Sequence, residues 1–577
     1  MSVQFPWTVR IATLFTLAAG FFVFIFRGAA EEIQYLNITL PGGMPGTPTM
    51  GLIQQVSNGV SVTWFGPAGY YRLFEKTNMN ASWLAVGGLR LTNQAILSSN
   101  HANSFFSVAG PDARYAGSRA CLECHSGHHA SVLKTAHGSA FTNGLFAIQG
   151  GQTDPSCLAC HTVGYGLPTG FAVTNRSGSL SYSTHLAGVQ CENCHGPAAR
   201  HASNPSDFTV RPRVEIAATM CGGCHTAQSV PSRAASSHRP YYGDWNTSRH
   251  RAVNDSLRTS FSGISSSNSI QNCGRCHSGT VRQALVKNVP LPGGHEAGAV
   301  GVACSTCHDP HDTHVHTNVL SGVQFFTNQL TGFSYIFTNN SLGARYTNQL
   351  RDPLNSLADY RAAGAFATNH NPRINGCAQC HNDGGASFEF TATAPHPSLQ
   401  YNLLLGTVGE MTNGVAPNFP SAHSRIEKQC AACHMQTSTG DSGHKFRLTS
   451  YETCASCHGT ASNAQGFASL LNFIITSLSG DVQNKLAEWG ATRSPSPIRS
   501  YGALAWEYET AGALSSPSGT AHGPARDEQQ YIPVNIRKAR FNLYLVANDG
   551  SFGVHNGPMA ISLLQVAQSW VTTELDQ

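Results

Sequence analysis

The sequence predicts a mostly α-helical and irregular fold with little regular core, preceded by a small β-sandwich and closed by C-terminal helices. Three observations predict it. Residues 31–110 contain no cysteine and alternate apolar with polar side chains. Residues 111–458 contain all 18 cysteines in repeated short motifs. Residues 459–577 again contain no cysteine and have the apolar spacing of helices.

The N-terminus is typical of an export signal. Arg10 precedes an apolar run from Ile11 to Phe26, and small residues follow up to Ala30. This pattern predicts a signal peptide over residues 1–30, removed before Glu31. An uncleaved membrane anchor is the alternative, since the run is just short of a comfortable span. In both cases we expect an exported protein, periplasmic or extracellular, which is membrane-anchored only if the signal is retained.

Residues 31–110 predict a β-structure. Val60, Val62 and Trp64 alternate with polar neighbours, as in a half-buried strand. Short strands are predicted at residues 60–64, 70–74, 83–86 and 104–108. Their order, with a Trp, a Tyr-Tyr pair, a second Trp and a Phe-Phe pair, is similar to fibronectin type III modules. A plain β-rich cap is the alternative, and either form implies docking or spacing rather than catalysis.

The 18 cysteines form nine Cys-x-x-Cys-His motifs, with none left over. We number them 1 to 9 along the chain: Cys121, Cys124 and His125; Cys157, Cys160 and His161; Cys191, Cys194 and His195; Cys221, Cys224 and His225; Cys273, Cys276 and His277; Cys304, Cys307 and His308; Cys377, Cys380 and His381; Cys430, Cys433 and His434; Cys454, Cys457 and His458. This is the pattern of covalent c-type haem attachment.

The chemistry requires this spacing. Two thiols add to the two vinyl groups of one haem, and the adjacent His binds the iron from the proximal side. Zinc sites pair Cys-x-x-Cys units without an adjacent His, and a disulfide framework would not place His after every second Cys. We therefore expect nine covalently bound c-type haems over residues 111–458. Their apolar faces would explain how a chain with only 11% charged residues and 41% apolar residues folds around polar loops.

Residues 459–577 predict a helical region. Three helices are expected. The first has its apolar face at Phe467, Leu470, Leu471, Phe473 and Ile474, and the second spans residues 536–546. The third begins at Asn556 and Pro558, and its inner face is Leu563, Val566, Ala567, Trp570 and Val571. Such helices commonly close a multihaem domain or form an oligomer interface, so a homo-oligomer through them is one expectation.

Several segments resemble a superfamily of multihaem cytochromes. It contains the tetrahaem electron carriers of ammonia oxidisers, the octahaem hydroxylamine oxidoreductases and the pentahaem cytochrome c nitrite reductases. The segments that carry the resemblance are 115–137, 188–201, 431–446 and 549–556. All nine motifs here end in His, whereas the reductases often use Lys at the catalytic haem. No Tyr can be assigned to the haem crosslink of the oxidoreductases.

Nine His serve the motifs, which leaves 18 others. We predict that nine of these are distal iron ligands: His137, His185, His201, His250, His295, His396, His423, His444 and His555. His137, His201, His444 and His555 lie in the family-like segments, and His250, after Trp245 to Arg249, resembles the family's distal segment. His185, His295 and His423 precede a motif by a short loop, and His396 has an apolar, Pro-flanked setting. The alternative for each is a surface or hydrogen-bonded His. The reserves are His238, His311, His314, His316, His370 and His522.

Two function classes follow from these ligands. Two His per iron predict a low-spin electron carrier with no open site. One open haem would instead allow an oxidoreductase acting on a small nitrogen or sulfur compound. The carrier is the leading hypothesis, and a filamentous conduit is a variant of it. We expect redox proteins or membrane quinol-linked complexes as partners. Nucleic acid is not expected, because haem propionates make the loaded protein acidic despite a formal charge of +4.

Overall fold

The structure is a computed structural model that describes Thr49 to Gln577 with gaps, the longest at residues 227–237, 252–260 and 312–376. The predicted signal lies outside the described residues, as do the reserve residues His314, His316 and His370 and also His101 of the β-structure, for which a structural role is expected. Contacts divide the chain into two parts, which meet in sequence at residues 215 and 216.

The first part begins with a small β-sandwich. Its strands are β1 (Thr49–Val56), β2 (Gly59–Phe65), β3 (Tyr70–Lys76), β4 (Leu84–Ala85), β5 (Gln94–Leu97) and β6 (Phe105–Asp112). They form two antiparallel sheets in the orders β1-β2-β5 and β4-β3-β6. Val62 and Trp64 of one sheet pack with Tyr71, Leu73 and Phe106 of the other in one buried cluster. The predicted strands are confirmed, and the likeness to a fibronectin type III module stays a prediction.

The rest of the first part holds motifs 1 to 3 on short elements. These are α1 (Ser126–Leu133), α2 (Gly144–Ile148), α3 (Pro155–His161), α4 (Cys191–His195), α5 (Ala199–Ser203), the hairpin of β7 (Val173–Arg176) and β8 (Ser179–Tyr182), and 3₁₀ turns at Ser118–Cys121 and Thr184–Leu186. Phe141, Leu158 and Phe171 form a small buried cluster. Few apolar side chains are buried against one another in this region, as expected for residues that pack around bound haem.

Motifs 4 to 9 lie in the second part, most of them on or beside short helices. The helices are α6 (Ala218–Gly222), α7 (Tyr241–Asn246), α8 (Ser267–His277), α9 (Gly279–Lys287), α10 (Gly294–Ala297), α11 (Cys304–Cys307), α12 (Gln400–Leu405), α13 (Gln429–His434) and α14 (Ala455–His458). Further 3₁₀ turns span Ala422–Arg425, Glu452–Cys454, Ile498–Leu504 and Gln529–Tyr531. The predicted fold class, helical and irregular with little regular core, is confirmed.

Three long helices close the chain: α15 (Ala461–Thr492), α16 (Val534–Asp549) and α17 (Gly557–Leu575). They build the largest buried cluster, which includes Trp489, Tyr544 and Leu563. Asn556 caps α17 by accepting the Met559 N–H at 3.2 Å, as the Asn-Gly-Pro start predicts. The three predicted helices are confirmed.

The apolar face predicted at the start of α15 points outward. Phe467, Leu470 and Phe473 are 55%, 55% and 73% exposed, whereas the helix is buried through residues such as Val482 and Leu486. Apolar spacing predicts the helical period, but it does not say which stripe meets the core. Within the described residues, no helix combines the length and the hydropathy needed to cross a membrane.

Candidate haem-binding sites

A single helical turn brings the three binding groups of each motif together. The His N–H donates to the carbonyl of the first Cys of its motif in motifs 1, 4, 6 and 7, at 2.8 to 2.9 Å. Motif 3 is itself the helix α4. Residues i, i+3 and i+4 lie on one face of a helical turn, so both thiols and the imidazole face the same side. This is the arrangement that c-type attachment needs.

The structure places a second His opposite the motif His in five cases. The ring centroids are separated by 5.7 to 6.2 Å in these pairs: His381 and His250; His277 and His396; His308 and His444; His458 and His423; His434 and His555. Each pair joins one motif His with one of the predicted distal His. The second members are separated from their partners by as many as 136 sequence positions, as for His308 and His444, so the fold and not local sequence brings them together.

These separations fit an iron between two imidazoles. Metal–imidazole bonds are about 2.0 Å long, and a ring centroid lies about 1.1 Å behind its coordinating nitrogen, so two axial imidazoles have centroids about 6 Å apart. Directly stacked rings would be closer, as for Phe146 and His161 at 4.4 Å. The five pairs therefore have the spacing that axial ligation requires.

Two further predicted distal His lie near a motif His. Burial lowers the pKa of His137, and the neighbouring His161 lowers it further. Burial also lowers the pKa of His201, with His125 as the next cause. In the pairs above, burial and the facing imidazole lower the pKa of His250 to about 4. Lowered pKa values keep these rings neutral near pH 7, which is the form that binds iron.

The last two predicted distal His are not placed in pairs. His185 lies beside motif 3, where it acts electrostatically on the Glu192 carboxylate. His295 lies on the short helix α10, and its side chain is outside the described residues. Distal ligation stays a prediction for these two, as it does for the other seven.

The second ring nitrogen of several of these His is held by the protein. The Nδ1 atoms of six imidazoles lie 2.6 to 3.3 Å from an oxygen acceptor: Ala140 O for His161, Gln400 Oε1 for His381, Val554 O for His423, Phe446 O for His434, Ser442 O for His444 and Asp549 Oδ1 for His555. An Nδ1–H donor leaves Nε2 as the lone-pair nitrogen and fixes the ring orientation. Sequence analysis missed these partners, because most are backbone carbonyls.

Phe446 contacts three of the paired His. Its ring lies 4.5 Å from that of His250 and 5.6 Å from that of His444, and its carbonyl is the acceptor for His434. Its φ of 53° is in the left-handed region, which is unfavourable for an aromatic residue. The surrounding contacts therefore hold Phe446 in this conformation.

Thiols of different motifs are also in contact. None of the 18 cysteines forms a disulfide. The side chains of four pairs lie next to each other: Cys121 and Cys191, Cys221 and Cys304, Cys276 and Cys380, and Cys377 and Cys430. These contacts put motif 1 beside motif 3, motif 4 beside motif 6, and motif 7 beside both motif 5 and motif 8. The attachment points of these haems are therefore immediate neighbours.

Comparison with known proteins agrees with this chemistry. A family model described as "Cytochrome c554 and c-prime" matches residues 120–196 and 220–309, which contain motifs 1 to 3 and 4 to 6. Cytochrome c-554 of Nitrosomonas europaea is 31% identical over 99 residues. That alignment covers 15% of this chain and 40% of the relative, so it spans well under two thirds of that protein.

Solved structures with similarity to the chain include three multihaem cytochromes. The outer cell wall cytochrome OcwA is 17% identical with a TM-score of 0.49, over 79% of this chain and 99% of that one. The undecahaem cytochrome from the S-layer of Carboxydothermus ferrireducens is 17% identical with a TM-score of 0.45, over 80% and 70%. Cytochrome c nitrite reductase of Desulfovibrio desulfuricans is 14% identical with a TM-score of 0.27, over 53% and 64%.

Proposed function

We propose that this chain, a multihaem c-type cytochrome, carries electrons outside the cytoplasm through nine covalently bound haems, most of them with two His ligands. The observation that carries the proposal is the set of five His pairs at 5.7 to 6.2 Å, each with one motif His. Bound haem supplies reversible one-electron chemistry at its iron. With haem bound, the two imidazoles of each pair would fill the position that a substrate would need.

The hydrogen bonds on Nδ1 support the same role. An imidazole held by a carbonyl or carboxylate keeps its orientation when the charge at the iron changes. His423, for example, is 2.7 Å from the Val554 carbonyl, next to the start of α17. A fixed ligand set reduces the rearrangement that accompanies each electron transfer, which suits a carrier.

The contacts between motifs support a relay rather than isolated sites. Motif 7 touches motifs 5 and 8 through Cys380 and Cys377. Cys454 of motif 9 acts electrostatically on Cys433 of motif 8. Neighbouring attachment points keep each electron step short, so the motifs of the second part form a connected set. We propose redox proteins or membrane quinol-linked complexes as its partners.

The site of action is proposed from the N-terminal pattern of Arg10, the apolar run and the small residues up to Ala30. Export also suits the haem attachment chemistry, which in bacteria takes place on the outer side of the cytoplasmic membrane. N-terminal sequencing of the mature protein should give a start near Glu31. Retention of residues 1–26 in membrane-bound protein would instead favour an anchor.

The carrier proposal is tested on the oxidised holoprotein. Its mass should exceed that of the polypeptide by nine haems, and its optical and paramagnetic resonance spectra should be low-spin and unchanged by cyanide or nitrite. A high-spin haem that binds these ligands in the parent protein would contradict the carrier and favour the oxidoreductase acting on a small nitrogen or sulfur compound. A count of seven haems or fewer would contradict the nine-haem assignment.

A further inference from the structure

Helix α9 connects motif 5 with motif 6. Its Val281 packs so closely on motif 5 that a Cβ at Gly274 would lie 2.6 Å from Val281 Cγ2. The Gln283 side chain donates to the Ser305 carbonyl of motif 6 at 3.0 Å. A residue other than Gly at 274 would push the helix away. The position of α9 between the two motifs is therefore well determined.

Arg282 of α9 is a buried cation, only 7% exposed. Its Nη1 donates to the Arg275 carbonyl, inside motif 5, at 3.1 Å. Its guanidinium acts electrostatically on cysteines of three motifs, namely Cys276, Cys307 and Cys380. Cys276 and Cys380 also touch each other, so motifs 5, 6 and 7 meet around this charge. A second buried guanidinium, that of Arg275, acts on Cys276 as well, but Arg282 is the one that also acts on Cys307 and Cys380.

A buried guanidinium favours the reduced state of nearby iron. Reduction removes one positive charge from the haem, and a neighbouring cation stabilises that change strongly where water is excluded. Arg cannot lose its proton in a protein, so the charge is permanent. With haem attached, these cysteine sulfurs would be bonded at the vinyl positions, on the side of the porphyrin away from its propionates. Arg282 would then act on each of these haems from the side of its attachment.

We propose that Arg282 makes motifs 5, 6 and 7 a shared high-potential junction, on which electrons collect from more than one direction. This inference rests on the proposed carrier function. Motif 6 touches motif 4 through Cys304, and motif 7 touches motif 8 through Cys377, so the junction has a neighbour on each side. Each step reduces one ferric iron and oxidises one neighbouring ferrous iron, and no atom or proton is transferred.

Motif 3 provides an internal contrast. Its Glu192 is 1% exposed and accepts backbone N–H bonds from Ala116, Gly117 and Ala198 at 2.7 to 3.1 Å. This carboxylate acts electrostatically on Cys121 of motif 1. A buried negative charge favours the ferric state, so motifs 1 and 3 should hold low-potential haems while the junction holds high-potential ones.

The test is an anaerobic redox titration of the holoprotein, followed by visible and paramagnetic resonance spectra. In Arg282→Gln, two or three haems should shift together to lower potential. Arg282→Lys keeps the charge and should retain most of the parent potentials. The exposed Arg526, which is 75% accessible, provides the matched control, and Arg526→Gln should leave every potential unchanged.

Several results would overturn the junction. A shift confined to one haem would indicate a single ion pair with a propionate, and no shift or an upward shift would exclude a role for the charge. If Arg282→Gln loses haem by mass, the test is repeated with Arg282→Met, which removes the charge without burying an amide. Loss of haem in that variant too would show that Arg282 is needed for haem incorporation and would overturn the junction. Cyanide binding by the parent would refute the carrier function separately, since the grouped shift would persist.

Discussion

Replacing Asp549 with asparagine should raise the reduction potential of one haem. Asp549 ends α16, its carboxylate is only 1% exposed, and Oδ1 lies 2.6 Å from Nδ1 of His555. The His555 ring in turn faces that of His434 in motif 8. A carboxylate that accepts the Nδ1–H makes the imidazole a stronger donor and stabilises ferric iron. Asparagine keeps an oxygen acceptor but removes the negative charge.

The size of the shift follows from this geometry. Partners of metal-bound His change metal affinity by about 10- to 100-fold. Each tenfold change equals about 59 mV for a one-electron couple, so the potential should rise by about 60 to 120 mV if the loss falls on the ferric state. The short contact and the burial of Asp549 favour the upper half of that range.

The assay is a spectroelectrochemical titration of parent and variant, with the haem count checked by mass. One component should move upward while the low-spin spectrum is retained. Asp481→Asn, at an exposed position of α15, is the matched control and should change nothing. An unchanged potential in Asp549→Asn would refute the reasoning, because His555 would then either not bind iron or not depend on this hydrogen bond.

Three further outcomes are expected. His555→Ala should convert one haem from low spin to high spin and create a site that binds cyanide; an unaltered spectrum would remove His555 from the ligands. A chain that starts at Pro111 after its export signal should retain nine haems and the parent spectrum, whereas loss of a low-spin haem would place a ligand in the β-sandwich. Glu192→Gln should lower the stability of the holoprotein by about 1–3 kcal/mol, because its amide cannot accept all three N–H bonds; an unchanged thermal midpoint would contradict this.

The sequence predicts the local chemistry of each motif better than it predicts which distant residues face that motif in the fold. Cys-x-x-Cys-His needs one helical turn, so the binding groups of each motif follow from spacing alone. The strands and the three closing helices also follow from apolar periodicity. The facing pairs do not, because His444 meets His308 only through the fold of the intervening chain. Family-like segments identified His444, whereas nothing local indicated its partner.

Charge placement was even less accessible from the sequence. Arg282 follows motif 5 by a few residues, and from the sequence alone it would be interpreted as an exposed cation on a short helix. Its significance depends on burial and on Cys307 and Cys380, which approach from distant segments. The acceptor carbonyls, such as that of Val554, belong to the backbone and have no sequence signature. These features require the three-dimensional structure.

The contacts between thiols have a consequence for biosynthesis. Cys276 meets Cys380, and Cys377 meets Cys430, once the chain has folded. In an oxidising compartment, adjacent free thiols become crosslinked, and each crosslink would consume two haem attachment points. A chain that folded before haem attachment would thus form disulfides between motifs and could no longer bind haem at those cysteines. On the proposed export and haem attachment, we therefore expect thioether formation to precede tertiary folding, so that the order of maturation decides whether this architecture can form.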